Sequence, residues 1–101
     1  FYEFKELIER NNTQKLTDGQ YAESMSISTK TLSTITNKIG GKSPSELIAD
    51  RVILQSKRFL KFTGLQISEI AYKLGFEDPS YFIKFFKLYA AISPKKFRND
   101  H

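Results

Sequence analysis

The chain has 101 residues, of which 40% are hydrophobic and 27% are charged, and this composition is typical of one small globular domain. It has no cysteine and one histidine, at the last position, so the sequence offers no disulfide, no thiolate metal site and no basis for histidine catalysis. The apolar runs are all far shorter than the roughly 18 to 20 residues of a membrane span. The net charge of +5 favours an anionic partner, either nucleic acid or a membrane surface.

The positive charge is unevenly distributed along the chain. Residues 1–50 contain 6 basic and 7 acidic side chains, whereas residues 51–101 contain 10 basic and 4 acidic ones. This asymmetry points to contact with a polyanion. It predicts that the second half of the chain contributes more of the nonspecific affinity for that polyanion.

Helical periodicity dominates the first forty residues. An apolar stripe predicts a first amphipathic helix over about residues 1–11, with Phe1, Phe4, Leu7 and Ile8 on its inner face. Asp18 is placed to cap a short helix over 19–25, which buries Ala22 and Met25. Ser28 is placed to cap a third helix, which ends at Gly40-Gly41 and whose buried positions are Leu32, Ile35 and Ile39.

The longest predicted helix covers residues 44–62. Ser43 suits its cap, Pro44 its first turn, and Glu46 the returning hydrogen bond of a capping box. At about 1.5 Å per residue this helix is roughly 27 Å long. Thr63 and Gly64 end it.

Three shorter helices follow. The first contains Ile67, Ile70, Ala71 and Leu74 and ends at Gly75. The second is capped by Asp78, and its predicted core face is Phe82, Phe86 and Tyr89. The third covers about residues 94–98, and no stretch alternates long enough to require a strand. The predicted fold class is therefore all-α, with about seven helices.

Two parts of the chain repeat one design. A short helix with a central alanine, Ala22 or Ala71, is followed by a tight turn at 26–27 or 75–77 and then by a capped helix. The small residue lets the second helix pack closely across the first, which is the arrangement of a helix-turn-helix. Two copies separated by one long helix are far more specific than a single helical corner.

The second copy carries a recognisable motif. The segment ISEIAYKLGFEDPSYF at residues 67–82, with Phe86-Lys87, Ser93-Pro94 and Phe97-Arg98 after it, resembles the signature of AraC/XylS-type transcription regulators. Weaker similarities to the same pattern precede it, at Leu32, Gly41-Lys42-Ser43-Pro44, Arg51 and Lys57-Arg58-Phe59-Leu60. The resemblance covers nearly the whole chain.

The resemblance implies a double helix-turn-helix module that binds double-stranded DNA. Its parts are a first unit over 1–43, a linker helix over 44–62 and a second unit over 63–101, together one compact module. The implied base-contacting residues are Lys30, Ser33, Thr34, Pro79, Ser80, Ile83 and Lys84. The predicted phosphate-contacting residues are Lys38, Lys42, Arg51, Lys73, Lys87, Lys95 and Lys96. The expected binding site is asymmetric and spans two major-groove segments, about one turn or roughly 34 Å apart.

The same resemblance implies that the chain is the output domain of a bacterial, cytoplasmic transcription regulator. It also implies RNA polymerase as a partner and a sensory or dimerisation domain before Phe1. No enzyme activity, cofactor, metal or membrane association is expected.

The chain departs from the family pattern at several places. Lys84 stands where arginine is usual, Ala91 where glycine is usual, and Ser56 where alanine is common. Thr36-Asn37 stands where many members carry Phe-Lys, so one candidate phosphate contact is missing. Lysine lacks the guanidinium fork, which weakens the expectation of a guanine contact at Lys84.

Other interpretations of the same residues stay open or are rejected. Ile83 either meets DNA or is partly covered by the linker helix, and Phe85 is expected to pack. Gly41-Lys42-Ser43 matches the last three residues of the phosphate-binding loop motif. The motif also requires a glycine at position 36, where this chain has threonine. The rival function is that of a basic helical module for a protein or membrane surface without sequence-specific DNA binding.

Overall fold

The computed structural model describes residues 1–10 and 18–100. Over these residues the fold has seven α-helices and no strand, as the all-α prediction required. The helices are α1 (Tyr2–Arg10), α2 (Asp18–Ser24), α3 (Thr29–Ile35), α4 (Pro44–Phe62), α5 (Ile67–Lys73), α6 (Pro79–Ala90) and α7 (Pro94–Asp100), with a π-helical turn, Thr36–Gly40, after α3. None of the helices in these ranges combines the length and apolarity needed to cross a membrane.

The described residues form two compact units. The first contains residues 1–10 and 18–51, and the second contains residues 52–100. The boundary falls within α4, so this one helix contributes its first turns to one unit and its last turns to the other.

The core of the first unit is built from α1, α2 and α3. Its buried residues are Phe4, Ile8, Tyr21, Ala22 and Leu32. The rings of Phe4 and Tyr21 meet edge to face with centroids 5.3 Å apart, and burial raises the pKa of the Tyr21 phenol. Tyr21 was not among the predicted core residues. The Asp18 side chain, which was predicted to cap α2, is not among the side chains that the structure describes.

The prediction that Ile39 is buried was wrong. Its side chain is 60% exposed, whereas Thr36 is fully buried. Both residues belong to the π-helical turn, whose wider winding rotates later residues away from the face that an α-helix would give them. Gly41 ends this turn with a left-handed φ of 69°, as the predicted stop at Gly40-Gly41 required.

The start of α4 confirms the predicted capping box. The Ser43 backbone N–H donates to Glu46 Oε1 at 3.1 Å, and the Glu46 N–H donates to Ser43 Oγ at 3.2 Å. This pairing lowers the pKa of the Glu46 carboxyl, because the ionised form is the better acceptor for the Ser43 N–H. The helix begins at Pro44 and ends at Phe62, with the predicted boundaries.

Aromatic rings fill the core of the second unit. Phe82 and Phe86 on α6 are fully buried, and Phe76 in the preceding turn is 4% exposed. The Phe82 ring lies 5.4 Å from Phe76 and 6.0 Å from Phe86, measured between centroids. Phe97 on α7 extends the array by meeting Phe86 at 5.8 Å.

The prediction that Tyr89 belongs to this core face was wrong. Its side chain is 49% exposed. It packs instead on the half-buried Phe85 ring, with centroids 4.8 Å apart, and Phe85 in turn contacts Phe76. Phe85 therefore packs as expected, and it takes the space at the edge of the core that Tyr89 was predicted to fill.

The end of α4 is held by a side chain from α7. The Arg98 guanidinium donates from Nε to the Leu60 carbonyl at 3.0 Å, and from Nη2 to the carbonyls of Phe59 at 3.5 Å and Thr63 at 3.3 Å. The last carbonyls of a helix have no hydrogen-bond partners within the helix, and they carry partial negative charge. A cationic donor such as Arg98 therefore supplies hydrogen bonds and favourable electrostatics at the same place.

We expect Arg98→Ala to lower the free energy of unfolding by about 1 to 3 kcal/mol, because it removes charged donors from part-buried carbonyls. The Arg98→Lys variant should have a free energy of unfolding between those of the wild type and Arg98→Ala, because an ammonium group cannot reproduce the guanidinium fork. Urea unfolding measures both effects. Arg58→Ala is the matched control, because Arg58 is exposed and its Nη1 lies 3.4 Å from Gln55 Oε1. Equal losses for the Arg98→Ala and Arg58→Ala variants would contradict the capping role.

The C-terminus of α6 adopts a left-handed conformation without a glycine. Ala91 has a φ of 68°, and its N–H donates to the Lys87 carbonyl at 3.0 Å. A Cβ atom disfavours this conformation by about 1 kcal/mol, which is why glycine usually occupies it.

Ala91→Gly should therefore raise the stability of the chain by about 0.5 to 1 kcal/mol, seen as a higher midpoint in thermal unfolding. Ala90→Gly is the matched control, one residue earlier and still inside α6, where glycine should destabilise by about 1 kcal/mol. A shift of the same sign in both variants would argue against strain at Ala91.

Candidate nucleic-acid interface

The two predicted turns have the same hydrogen-bonded geometry. In the first, the Ile27 N–H donates to the Ala22 carbonyl at 3.0 Å, and Ser26 has a left-handed φ of 58°. In the second, the Phe76 N–H donates to the Ala71 carbonyl at 3.0 Å, and Gly75 has a φ of 89°.

A second hydrogen bond, which spans three residues rather than five, accompanies each of these turns. The Ser26 N–H donates to the Glu23 carbonyl at 3.0 Å, and the Gly75 N–H donates to the Tyr72 carbonyl at 3.1 Å. Together the two bonds define a Schellman motif at the end of α2 and again at the end of α5. The internal repeat predicted from the sequence is therefore a repeat of backbone geometry.

The helix after each turn begins with a side-chain cap. Ser28 Oγ accepts from the Thr31 N–H at 3.1 Å and starts α3, and Asp78 Oδ1 accepts from the Ser80 N–H at 2.8 Å and starts α6. The alanines before the turns are buried, at 2% and 0% exposed. Each unit thus contains a helix-turn-helix in which the second helix packs over a small residue of the first.

The outer face of α3 carries the first predicted base-contacting set. Lys30 and Thr34 are exposed, and Ser33 is half-buried. The Thr34 hydroxyl donates to the Lys30 carbonyl at 2.9 Å. The Ser33 hydroxyl accepts from Asn37 Nδ2 at 3.1 Å. The structure therefore brings these three predicted residues to one helix surface, with two of their hydroxyls already bonded locally.

The first turns of α6 carry the second predicted set. Ser80 and Lys84 are exposed, whereas Pro79 and Ile83 are half-buried. Ser80 donates to Asp78 Oδ1 through its hydroxyl, at 2.7 Å, as well as through its backbone N–H. These bonds lower the pKa of the Asp78 carboxyl, and the positive charge of Lys84 adds to the effect.

The predicted phosphate-contacting residues are mostly free to reach a ligand. The exposed members of this set include Lys38, Lys73, Lys87, Lys95 and Lys96, while Arg51 is half-buried. Lys42 Nζ instead lies 2.6 Å from Asp50 Oδ2, and this hydrogen bond raises the pKa of the Lys42 ammonium. A phosphate at Lys42 therefore has to compete with a carboxylate.

Two side chains make specific contacts that the sequence does not predict. The Asn37 amide contacts Ser33, a predicted base-contacting residue. The spacing of four residues between Ser33 and Asn37 is the sequence signal for this contact, because such pairs meet on one helix face. For Arg98 no local pattern indicates that it reaches the end of α4.

Two helix-turn-helix motifs with exposed polar recognition helices define a double helix-turn-helix DNA-binding domain. Residues 21–100 match a family model described as a helix-turn-helix domain. The chain belongs to the AraC/XylS family of transcription regulators, which the motif at residues 67–82 had indicated.

Several known proteins resemble the chain over most of its length. The HTH-type transcriptional activator AarP of Providencia stuartii is 34% identical over 91 residues, which are 90% of this chain and 67% of AarP. The C-terminal domain of AraT, a response regulator from Geobacillus stearothermophilus, has 27% identity and a TM-score of 0.93, covering 99% of this chain and 84% of that one. The DNA-binding domain of AdpA, solved with a target DNA, shares the fold at 19% identity and a TM-score of 0.88, covering 98% and 89%.

We predict a pH dependence of stability from the α6 cap. Because folding lowers the pKa of Asp78 below its usual 3.8, the ionised cap stabilises the fold above that pH, and the gain is lost as the pH falls through the lower folded value. Asp78→Asn keeps a good cap without this titration. Its thermal midpoint should therefore fall less than that of the wild type between about pH 5 and pH 2.5.

Asp100→Asn is the matched control for this measurement, since Asp100 is the last residue of α7 and begins no helix. Parallel curves for the wild type and the Asp78→Asn variant would show that the cap does not contribute to the acid response.

Proposed function

We propose that the chain reads duplex DNA by placing α3 and α6 in successive major-groove segments of one site. The observation that carries this proposal is the repeated Schellman turn, after which a capped helix presents an exposed polar face in each unit. Helix-turn-helix proteins use the helix after the turn to contact base edges. Because α3 and α6 differ in sequence, the two halves of the DNA site are expected to differ.

The proposed contacts follow from side-chain chemistry. Lys30 and Lys84 donate to guanine O6 or N7, and the hydroxyls of Ser33, Thr34 and Ser80 bond base edges. Pro79 and Ile83 supply apolar contact, with Ile83 placed to meet a thymine methyl group. Support comes from exposure, since the lysines, Thr34 and Ser80 are all exposed on α3 or α6.

Phosphate contacts orient the domain without selecting a sequence. We assign them to Lys38, Lys42, Arg51, Lys73, Lys87, Lys95 and Lys96. Most belong to the second half of the chain, where the basic excess lies. The local pair of Lys42 with Asp50 makes Lys42 the weakest member of the set, since binding there must first break an ion pair.

In the cell, we propose that the chain is the output domain of a bacterial, cytoplasmic transcription regulator that acts on RNA polymerase. We assign α4 the role of linker between a first unit over 1–43 and a second over 63–101. Support comes from AarP, a transcriptional activator of which the chain spans 67%, and from AraT, a response regulator whose similar part is its C-terminal domain. A sensory or dimerisation domain before residue 1 is part of this proposal, and catalysis is not.

Selection of random duplexes by the 101-residue chain at a fixed, stated salt concentration tests the proposal. We expect an asymmetric two-part site with its halves about one helical turn apart. Lys30→Ala should relax the sequence preference in one half only, and Lys84→Ala in the other. Lys5→Ala, an exposed change on α1 outside both sets, is the matched control and should leave the preference intact.

Two results would contradict the proposal. Enrichment of no sequence over random competitor would exclude specific reading of bases. Binding to anionic vesicles without a mobility shift of duplex DNA would instead support the alternative of a basic membrane-surface module.

A further inference from the structure

A hydroxyl group is an ambiguous reader of DNA. It can donate its one proton to an acceptor on a base edge, or it can accept from a base amino group. Which of these it does depends on whether a neighbour in the protein already holds the proton. The base-contacting set contains three hydroxyls, at Ser33, Thr34 and Ser80, and the structure gives each a local partner.

Two of these protons are already engaged within the protein. Thr34 Oγ1 lies 2.9 Å from the Lys30 carbonyl oxygen, and Ser80 Oγ lies 2.7 Å from Asp78 Oδ1. A carbonyl oxygen and an ionised carboxylate can only accept, so in both pairs the hydroxyl is the donor. Thr34 and Ser80 therefore present lone pairs to the outside.

Ser33 has the opposite arrangement. Asn37 Nδ2 lies 2.8 Å from the Ser33 carbonyl oxygen, and this distance identifies the amide atom as the nitrogen, because two oxygens without a proton would repel. The same nitrogen lies 3.1 Å from Ser33 Oγ. With two protons, it donates one to each oxygen, so the Ser33 hydroxyl accepts and keeps its own proton for another partner.

The position of Asn37 makes this contact possible. It lies in the π-helical turn Thr36–Gly40 and folds back by four residues onto Ser33. Asn37 is exposed and Ser33 is half-buried, so part of the Ser33 residue remains accessible beside the amide contact. An asparagine here thus controls the hydroxyl without itself having to touch DNA.

We propose that Asn37 is a positioning residue that makes the Ser33 hydroxyl a hydrogen-bond donor toward DNA. In the major groove the available acceptors are guanine N7 and O6, adenine N7 and thymine O4, while cytosine shows only an amino donor. Ser33 therefore selects against cytosine at the base it reads. This inference rests on the proposed function, since it requires that Ser33 contact a base.

The substitution Asn37→Asp tests this polarity with a side chain of nearly the same size. A carboxylate cannot donate and is repelled by the Ser33 carbonyl, so it shifts toward the Ser33 hydroxyl and accepts its proton, which leaves only lone pairs for DNA. Duplex selection first identifies the position read by Ser33, as the one whose preference is lost in Ser33→Ala. At that position we expect cytosine to be the rarest base for the wild type, and Asn37→Asp to raise cytosine relative to guanine by about three- to tenfold.

A matched control removes the effect of added charge. Asn99→Asp makes the same substitution at an exposed residue of α7. Both variants lose overall affinity through repulsion of phosphate, but a uniform loss cancels in a ratio of bases at one position. Asn99→Asp should therefore keep the wild-type ratio.

The outcomes separate this inference from the proposed function. If Ser33→Ala changes no position, the Ser33 base contact is wrong and the inference falls with it. If Ser33→Ala changes a position but Asn37→Asp keeps the ratio seen with Asn99→Asp, the inference alone is overturned. Circular dichroism checks that the variants fold. If Asn37→Asp does not fold, Asn37→Ala replaces it, and a flattened ratio supports the inference while an unchanged one overturns it.

Discussion

The rest of the structure depends on one backbone hydrogen bond made twice, from the residue after a left-handed turn to the carbonyl of a buried alanine. Ala22 accepts from Ile27, and Ala71 accepts from Phe76, in both cases at 3.0 Å. The bond closes the helix before the turn and directs the chain into the helix that follows. It also places an apolar residue, Ile27 or Phe76, where the two helices meet, so local geometry and core packing support one another.

The chemistry of the recognition helices follows from that turn. A helix that starts at the turn must satisfy its first N–H groups, and Ser28 and Asp78 do so with side-chain oxygens. In α6 the same cap also accepts from the Ser80 hydroxyl, so a group that stabilises the fold also engages the proton of a residue proposed to contact DNA. In α3 the local partner lies at the other end of the helix, where Asn37 in the π-helical turn donates to the Ser33 hydroxyl.

The two incorrect burial predictions show where periodicity stops being informative. Ile39 was predicted to be buried because an α-helical spacing was assumed through the whole segment, but the chain widens into a π-helical turn and buries Thr36 instead. Tyr89 has the correct spacing for the core of α6, yet Phe85 and Phe76 already fill that space. At Ile39 the backbone winding differs from the assumed spacing, whereas at Tyr89 the spacing is correct and neighbouring rings already occupy the limited volume of the core.

The sequence by itself determined the seven helices, the caps of α3, α4 and α6, the repeated turn and the family, because these depend on residues close together in the chain. Ser43, Pro44 and Glu46 specify where α4 begins through contacts with near neighbours in the sequence. Gly75 likewise specifies the turn that follows α5. Only the tertiary structure decided that Arg98 holds the carbonyls of residues 59, 60 and 63, across at least 35 positions of sequence. These contacts depend on distances of 3.0 to 3.5 Å between polar atoms that lie far apart in the sequence, and sequence spacing cannot specify such distances until the chain has folded.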